Sequence, residues 1–372
     1  MKWAFITIVS AHALLHAMGF AKAFGFAELE ALKQPIGRAA GVGWLVAMAL
    51  VIVAAVLIAI GPRSPALAQA LWSAALVAAL VSQAMIVTSW ADAKFGTVPN
   101  VLLLVFAGFA FAVNAPIGLR AEYRDRSEAI AARARPGELL TDARVAAMPA
   151  ALRRYLQVSG AIGRPVPGSF RARWRGRIRG AADAPWMALE AEPLNTTSPA
   201  ARLFFMDATM MGLPAIGLHA YEGNAATMRV RALGVAQVAE GHGPEMTRAE
   251  TVTLFNDLCM LAPGALAALP IVWTELAEDR VRGVFTNAGH TVSAELIFGD
   301  DGMLVDFVSG DRAREVDGHF VVTPWSPPLS VPRDYGGLRL ASRGEARWSP
   351  PGEAAFAYIE LELVALEHDP PR

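Results

Sequence analysis

Two histidines stand four residues apart in the first apolar stretch of the chain. His12 and His16 belong to the run Ala-His-Ala-Leu-Leu-His, and this spacing places both imidazoles on one face of a helix. Imidazole nitrogens bind iron, copper or zinc, so the pair could serve as metal or haem ligands. The other interpretation is that both side chains hydrogen-bond to neighbouring helices. Haem fits poorly, because its two axial ligands approach from opposite faces of the ring, and we predict neither a metal nor another cofactor.

Other polar residues lie within or beside the apolar stretches of the first third of the chain. Polar side chains at membrane depth are costly, so they are the first place to look for function. The candidates for a polar cluster in this part of the chain are His12, His16, Gln83, Asp92 and Lys94.

The densest polar stretch of the chain runs from His242 to Asp257. It could bind a polar group or supply an acid and a base for catalysis. It could equally be a loop that enters a capped helix, because Thr247 and Glu250 fit the Ser/Thr-x-x-Glu pattern. The sequence contains no glycine-rich phosphate loop, no His-Glu-x-x-His and no Gly-x-Ser-x-Gly motif. No catalytic residue can therefore be assigned.

A third candidate region combines aromatic rings with methionine thioethers. Such side chains suit adaptable apolar binding grooves, although they equally suit an ordinary core. The candidate ligand-binding residues are Phe204, Phe205, Met210, Met211, His219, Tyr221 and Arg248.

Composition divides the chain into two parts. Of the 67 charged residues, only nine precede Arg120. Four uncharged stretches, 3–21, 39–62, 64–91 and 95–119, each reach the roughly 20 apolar residues that a helix needs to cross a bilayer. Helix is the structure that satisfies their backbone polar groups in lipid. We therefore predict a transmembrane domain of four helices at 1–119.

Charge and cysteine content restrict the function further. The net charge of −1 gives no basic field for binding nucleic acid, and the single cysteine, Cys259, excludes an intrachain disulfide. Lys and Arg are more numerous on the side of the membrane that carries both chain ends, which favours a cytoplasmic second domain.

The remaining two-thirds predict a β-rich domain. A charged, alanine-rich segment at 120–136 predicts a helical linker, and 137–372 follows as an α+β domain. From 171 to 179 every second residue is arginine, which is typical of a half-buried strand. That arginine face could meet anionic lipid headgroups or simply be solvated. One helical segment, 246–269, interrupts the strands and breaks at 262–264. Further strands are predicted at 227–232, 280–286, 291–298, 304–309, 319–323 and 356–365. We expect a large curved antiparallel sheet with one or two helices packed on it.

Several segments together resemble an uncharacterised bacterial family, a domain of unknown function. They are 148–156, Trp186-Met187, 245–248, Trp273 and 285–291, and the membrane segments 12–20 and 90–97 look like a four-helix region that some members carry. The resemblance implies a multi-pass protein of the bacterial inner membrane and supplies no established activity or catalytic residue. The strand-rich domain is similar to curved-sheet carriers of lipoproteins and lipids. Those carriers work outside the cytoplasm, against the direction of the Lys and Arg distribution.

These observations favour a binding module over an enzyme, without deciding between them. We expect a membrane-tethered protein whose partners are the lipid bilayer and a lipid or other amphipathic ligand, bound on the concave face of the sheet. One alternative is an enzyme that acts on a membrane-derived substrate through the region from His242 to Asp257. The other is a metal or haem redox protein that uses His12 and His16.

Overall fold

The computed structural model describes residues 2–30, 32–114, 118–210, 213–316 and 319–370. The chain forms two compact units, Met1–Gly118 and Leu119–Arg372. The domain bounds expected from the sequence stay a prediction, and each unit is described by itself.

The first unit is helical. Its helices are α1 (Lys2–Phe24), α2 (Arg38–Ile60), α3 (Pro65–Thr88), α4 (Trp90–Ala93) and α5 (Thr97–Asn114), with a short 3₁₀ turn at Lys94–Gly96. Among the described residues, four helical segments are long and apolar enough to cross a membrane: α1, α2, α3 from Ala66, and a segment beginning at Trp90 that includes α5. This confirms the four apolar helices predicted from the sequence and indicates a membrane protein. The side of the membrane on which the second unit lies stays a prediction.

Small side chains let the long helices approach one another closely. α1 packs on α2, α2 on α3, and α3 on α5. Without a hydrophobic driving force between helices in lipid, such close backbone contact is a main source of helix association. The fully buried alanines at these contacts are Ala13, Ala47, Ala54, Ala75, Ala78 and Ala79.

The second unit begins with three helices and continues mainly as antiparallel strands. The helices are α6 (Leu119–Arg133), α7 (Asp142–Val145) and α8 (Ala150–Val158), and a fourth, α9 (Pro244–Leu261), lies between strands. The first strands are β1 (Ser169–Ile178), β2 (Met187–Thr197), β3 (Ala200–Met210), β4 (Leu213–Glu222), β5 (Ala225–Ala232) and β6 (Ala236–Gly241). After α9 come β7 (Ile271–Ala277), β8 (Arg280–Asn287), β9 (His290–Phe298), β10 (Leu304–Val308), β11 (Ala313–Val316) and β12 (His319–Val322). The last strands are β13 (Trp325–Ser326), β14 (Leu329–Asp334), β15 (Arg339–Trp348) and β16 (Phe356–His368).

The described strands form one large sheet and two smaller ones. The large sheet has the order β13-β15-β16-β1-β2-β3-β4-β5-β6, with β14 paired to β15. A four-stranded sheet has the order β10-β9-β8-β7, and β11 pairs with β12. This confirms the predicted β-rich fold with a large antiparallel sheet.

Two helices cover opposite faces of the large sheet. Since side chains alternate along each strand, neighbouring residues of one strand face different helices. On one face, Arg120 of α6 donates to Asp207 of β3 at 2.9 Å, and Tyr123 packs against Phe205. On the other face, α9 contacts β3, β4 and β5 and also the second sheet. Within the second unit, α6 therefore packs directly on the large sheet.

The core of the second unit lies between α9 and the two larger sheets. Phe255 of α9 meets Phe285 of β8 with ring centroids 5.2 Å apart, and Phe307 of β10 at 5.3 Å. Gly283 permits this packing, since a Cβ there would lie 2.7 Å from the Phe255 ring. α9 ends at Leu261 and is followed by a 3₁₀ turn at Pro263–Ala267. The helix and break predicted for 246–269 are therefore present.

The arginine face of β1 is paired with glutamates of its neighbours. Arg177 donates to Glu360 of β16 at 2.7 Å, and Arg175 lies 3.8 Å from Glu190 of β2. The opposite face of β1 is buried from Phe170 to Trp174, as its alternation predicts, and half-buried in the last part of the strand. Arg175 and Arg177 therefore lie beside carboxylates of neighbouring strands, and contact of this face with lipid headgroups stays a prediction.

Candidate functional site

A cluster of buried charges links α9 to β3. Glu250 and Asp257 are seven residues apart, so two helical turns bring both carboxylates to one face of α9. Arg202 of β3 bridges them, with Nη1 donating to Glu250 Oε2 and Nε donating to Asp257 Oδ2, both at 2.8 Å. Arg202 is only 4% and Glu250 only 2% exposed. We call Arg202, Glu250, Asp257, His219 and Asn195 the ionic cluster.

The sheet supplies the remaining contacts of the ionic cluster. His219 Nδ1 lies 2.8 Å from Glu250 Oε1, and Asn195 Nδ2 donates to Asp257 Oδ2 at 2.9 Å. Phe204, which faces His219 across the β3–β4 pair, places its ring 4.6 Å from the Arg202 guanidinium carbon. Cation–π contact of this kind stabilises a desolvated guanidinium. Each charge in the cluster thus has at least one partner.

In the ionic cluster, the charges of neighbouring side chains outweigh burial and determine which groups are ionised. Burial alone would raise the pKa of Glu250, but Arg202 and His219 together hold that pKa well below its usual range. Burial would lower the pKa of Arg202, and the two carboxylates outweigh it and raise that pKa. A carboxylate held so firmly in its ionised form is a poor base, and it cannot donate a proton near neutral pH. The arrangement fits a structural clamp between helix and sheet better than acid–base catalysis.

The enzyme alternative placed its chemistry in the region from His242 to Asp257, and the two ends of this region lie far apart in the structure. His242 is exposed and precedes the first residue of α9, whereas Asp257 lies thirteen residues after that start. At about 1.5 Å of rise per residue the two side chains belong to positions about 20 Å apart along the helix. The structure does not bring His242 and Asp257 together, and catalysis through this region stays a prediction.

The helix start expected from Thr247 and Glu250 is wrong. α9 begins at Pro244, so Thr247 lies inside the first turn, where its hydroxyl donates to the Gly243 carbonyl and accepts from the Ala226 amide. Glu250 points to the sheet instead. Proline at the first helical position leaves no amide hydrogen to cap and fixes the helical φ, which explains the earlier start.

The candidate ligand-binding residues do not gather in one place. Phe204, His219 and Tyr221 lie on the face covered by α9, but Phe205 lies on the face covered by α6, as strand alternation requires. Phe204, Phe205 and Tyr221 are all buried.

Arg248 lies elsewhere, paired with Asp311 in a salt bridge. Burial would raise the pKa of Asp311, but the Ser293 amide and Arg248 lower it. Met211 lies outside the described residues, as does the side chain of Met210. Ligand binding by this set stays a prediction.

A cavity of about 400 Å³ opens in the second unit near the β2–β3 turn. Its walls include Ala265, Leu269 and Phe285, and Arg135 and Asn287 supply polar groups. A volume of this size falls within the range of small-molecule sites, which combine apolar walls with a few polar groups. We call this cavity the β-unit pocket. The sequence did not predict it, because its lining comes from five separate segments of the chain.

The first unit buries a network of neutral polar side chains. His12 Nε2 lies 3.0 Å from Asn100 Oδ1 of α5 and 3.1 Å from Ser82 Oγ of α3. His16 Nε2 lies 2.8 Å from the same Ser82 Oγ, and His16 Nδ1 donates to the His12 carbonyl at 2.9 Å. Gln83 accepts from Asn100 Nδ2 at 3.0 Å. We call His12, His16, Ser82, Gln83 and Asn100 the bundle network.

The structure therefore joins three of the five predicted membrane residues and adds two. Asp92 accepts instead from the Gln34 backbone amide at 2.8 Å, and the Lys94 ammonium lies over the Phe95 ring. The two added residues are Ser82 and Asn100, and for Asn100 an amide inside an uncharged span was a usable signal.

The metal alternative requires several acidic, histidine or cysteine side chains close together. Among the residues that the structure describes, no group of three or more such side chains could hold a metal ion. The nitrogens that His12 and His16 turn toward Ser82 and Asn100 are already engaged in hydrogen bonds.

The fold defines a class: a protein with apolar membrane-length helices followed by a β-rich α+β unit. The family model of DUF6544, described as a family of unknown function, matches residues 138–361, more than half of the chain. The chain therefore belongs to this family, which confirms the resemblance to an uncharacterised family. The match lies within the second unit. No curated protein matches the chain in sequence.

Two solved structures are similar in part. One is a domain named for outer membrane lipoprotein sorting, from Vibrio parahaemolyticus, with 9% identity, a TM-score of 0.32, and coverage of 54% of this chain and 85% of that chain. The other is a DUF1329 family protein from Desulfovibrio piger ATCC 29098, with 10% identity, a TM-score of 0.35, and coverage of 62% and 94%. Both TM-scores are low, so we draw no functional argument from them.

Proposed function

We propose that the chain is a membrane-tethered module whose β-rich unit binds a lipid or another amphipathic ligand in the β-unit pocket. The observation that carries this proposal is the composition of the pocket. Alanine, valine, leucine, proline and phenylalanine form its apolar walls, and the exposed Arg135 joins four polar residues, Thr197, Ser198, Thr286 and Asn287, in the rest of the lining. An acyl chain would gain about 25 cal/mol for each Å² of apolar surface that it removes from water.

Arg135 gives the pocket a preference among headgroups. Its Nη1 donates to the carbonyls of Ala132 and Ala134, which holds the guanidinium in place beside the opening. A fixed guanidinium binds carboxylate or phosphate groups through paired hydrogen bonds. The proposed ligand therefore has an apolar tail and an anionic head.

The apolar set around Phe204 offers a second position for the same ligand. Helix α9 and helix α6 already occupy the two faces on which these residues lie. A ligand there would have to displace a helix, whereas the β-unit pocket is open in the described structure. The pocket is therefore the position that we test.

The test is binding of a fluorescent fatty acid to the full chain in detergent. Ala268 lines the pocket and is exposed, so Ala268→Trp should fill the space without disturbing the core. Ala354→Trp is the matched control, at an exposed loop position outside the pocket. We expect Ala268→Trp to weaken binding by at least about tenfold, equivalent to about 1.4 kcal/mol, and Ala354→Trp to leave it unchanged.

A third variant tests the headgroup. Arg135→Gln should weaken binding of the fatty acid more than binding of the corresponding fatty alcohol, because only the acid carries a charge for the guanidinium. Binding that is equally strong in Ala268→Trp and the unaltered chain would exclude the pocket. Absence of saturable binding in the unaltered chain would refute the carrier proposal and favour the enzyme alternative.

A further inference from the structure

A second cavity, of about 220 Å³, lies inside the first unit beside the bundle network. Its lining includes His12, His16, Trp44, Asp92 and the apolar rim residues Leu15 and Phe95. The hydrogen bonds around it determine which polar atoms are left for a ligand.

The bundle network fixes the hydrogen-bonding roles of both histidines. Asn100 donates its Nδ2 to Gln83, so its Oδ1 can only accept, and the Nε2 of His12 must be the donor to it. In the neutral form of His12, Nδ1 is then an acceptor, and it has no partner among the described residues. His16 donates from Nδ1 to the His12 carbonyl, so its Nε2 accepts from the Ser82 hydroxyl. The network thus offers the cavity an acceptor at His12.

Trp44 offers the complementary donor. Its side chain is only 6% exposed, and its Nε1 has no hydrogen-bond partner within the described part of the chain. Gly19 of α1 lets the indole lie close, since a Cβ there would come within 2.5 Å of the Trp44 ring. A buried N–H without a partner is costly, so an oxygen atom at this position would relieve a defect that the protein otherwise retains.

The rim of the cavity faces outward from the bundle. Leu15 is 61% and Phe95 is 79% exposed, and both are apolar side chains at the surface of membrane-length helices. A molecule dissolved in the hydrocarbon phase can therefore reach the cavity while its tail stays in lipid.

The lining also restricts the charge of the occupant. Its residues, all within the described ranges, include Asp92 but no lysine or arginine, which disfavours an anion. A cation would leave the Trp44 N–H unsatisfied, because it provides no acceptor. A neutral headgroup with oxygen atoms satisfies both Trp44 and His12.

We propose that this cavity binds the ring of a lipid-soluble quinone or quinol. Trp44 Nε1 donates to a ring oxygen, and the hydroxyl of the quinol donates to His12 Nδ1. The volume is below the range of drug-sized sites and holds one ring, with the tail outside. The site is separate from the β-unit pocket, and binding here is independent of the function proposed for the second unit.

The test measures binding of a decyl-substituted benzoquinone and its quinol to the full chain in detergent by calorimetry. Trp44→Phe keeps an aromatic ring but removes the N–H together with the smaller ring of the indole, so the control must lose the same ring away from the cavity. Trp72→Phe is the matched control, because Trp72 packs edge-on against Phe111 within the same helical unit. We expect saturable binding to the unaltered chain, about tenfold weaker binding to Trp44→Phe, and unchanged binding to Trp72→Phe.

Two further measurements complete the design. Decanol and decanoate, which lack the ring, should bind at least about tenfold more weakly than the quinone. If Trp44→Phe fails to fold, Phe95→Ala at the exposed rim replaces it and should also weaken quinone binding. The proposal is overturned if the unaltered chain does not bind the quinone saturably, if decanol binds equally well, or if neither variant changes the affinity.

Discussion

The bundle network and the ionic cluster both connect separate elements through buried polar side chains, but the chemical groups that they use differ. Both bury polar side chains and both join separate elements, α1, α3 and α5 in the first unit and α9 with the large sheet in the second. The bundle network uses imidazole, hydroxyl and amide groups. The ionic cluster uses full charges, with Arg202 between Glu250 and Asp257.

The surroundings of each network explain the difference. A charge at the centre of a bilayer costs several kcal/mol even after the protein adapts, so neutral groups are the cheaper way to join membrane helices. In the second unit, the penalty for burying Arg202 is offset by two carboxylates and an aromatic ring. Such a cluster tolerates removal of a partner poorly, because the charges left behind stay buried.

The largest effect is expected for Arg202→Met. The substitution leaves Glu250 and Asp257 buried without their shared cation, which should cost about 3–5 kcal/mol of stability. The measurement is thermal melting of the full chain, followed by the β signal in circular dichroism. Arg175→Met is the control, because Arg175 is exposed and its nearest carboxylate is 3.8 Å away. Equal changes in melting temperature in the two variants would show that the ionic cluster contributes no more to stability than an exposed ion pair.

A smaller effect is expected when α6 is removed from the second unit. A fragment 119–372 keeps the contacts of α6 with the sheet, whereas 136–372 exposes Phe205 and unpairs Glu222 from Arg126. Exposing a buried phenylalanine alone costs about 1.5–3 kcal/mol. Both fragments should fold with mainly β circular dichroism, and the shorter one should melt at a lower temperature. Identical melting temperatures would mean that α6 is only a linker.

The smallest effect is expected in the bundle network. Ser82→Ala removes the hydroxyl shared by His12 and His16, and hydrogen bonds between membrane helices average about 0.6 kcal/mol. Ser73→Ala is the control, since Ser73 bonds only within its own helix.

Replacing both histidines with glutamine should leave the purified protein folded and its visible absorbance spectrum unchanged. Loss of a chromophore or metal from that double variant would instead support the redox alternative.

The sequence predicted several elements in which the distribution of charged and apolar residues shows directly which side chains are buried. The four apolar helices lack charge, and β1 alternates arginine with buried residues, so both patterns are visible without a structure. Strands β2, β3 and β4 were among those that the sequence did not predict. In β4 and the second half of β2 both faces are buried, and burial on both faces removes the alternation that identifies a strand.

The sites were harder to predict than the fold, because tertiary contacts create them. Arg202 adjoins the apolar run that contains Phe204, and only its pairing with α9 explains a charge at that position. The β-unit pocket joins segments from Arg135 to Asn287, which are distant in sequence. Gln83 and the two histidines were identifiable earlier, since polar residues inside uncharged spans stand out on composition alone.

The most direct test of the central claim is native mass spectrometry of the full chain released from detergent. The account predicts that the unaltered protein carries a co-purified mass of lipid size and that Ala268→Trp, which fills the β-unit pocket, loses it while Ala354→Trp keeps it. An unaltered protein without any bound lipid, or an Ala268→Trp protein that retains the same mass, would contradict the account.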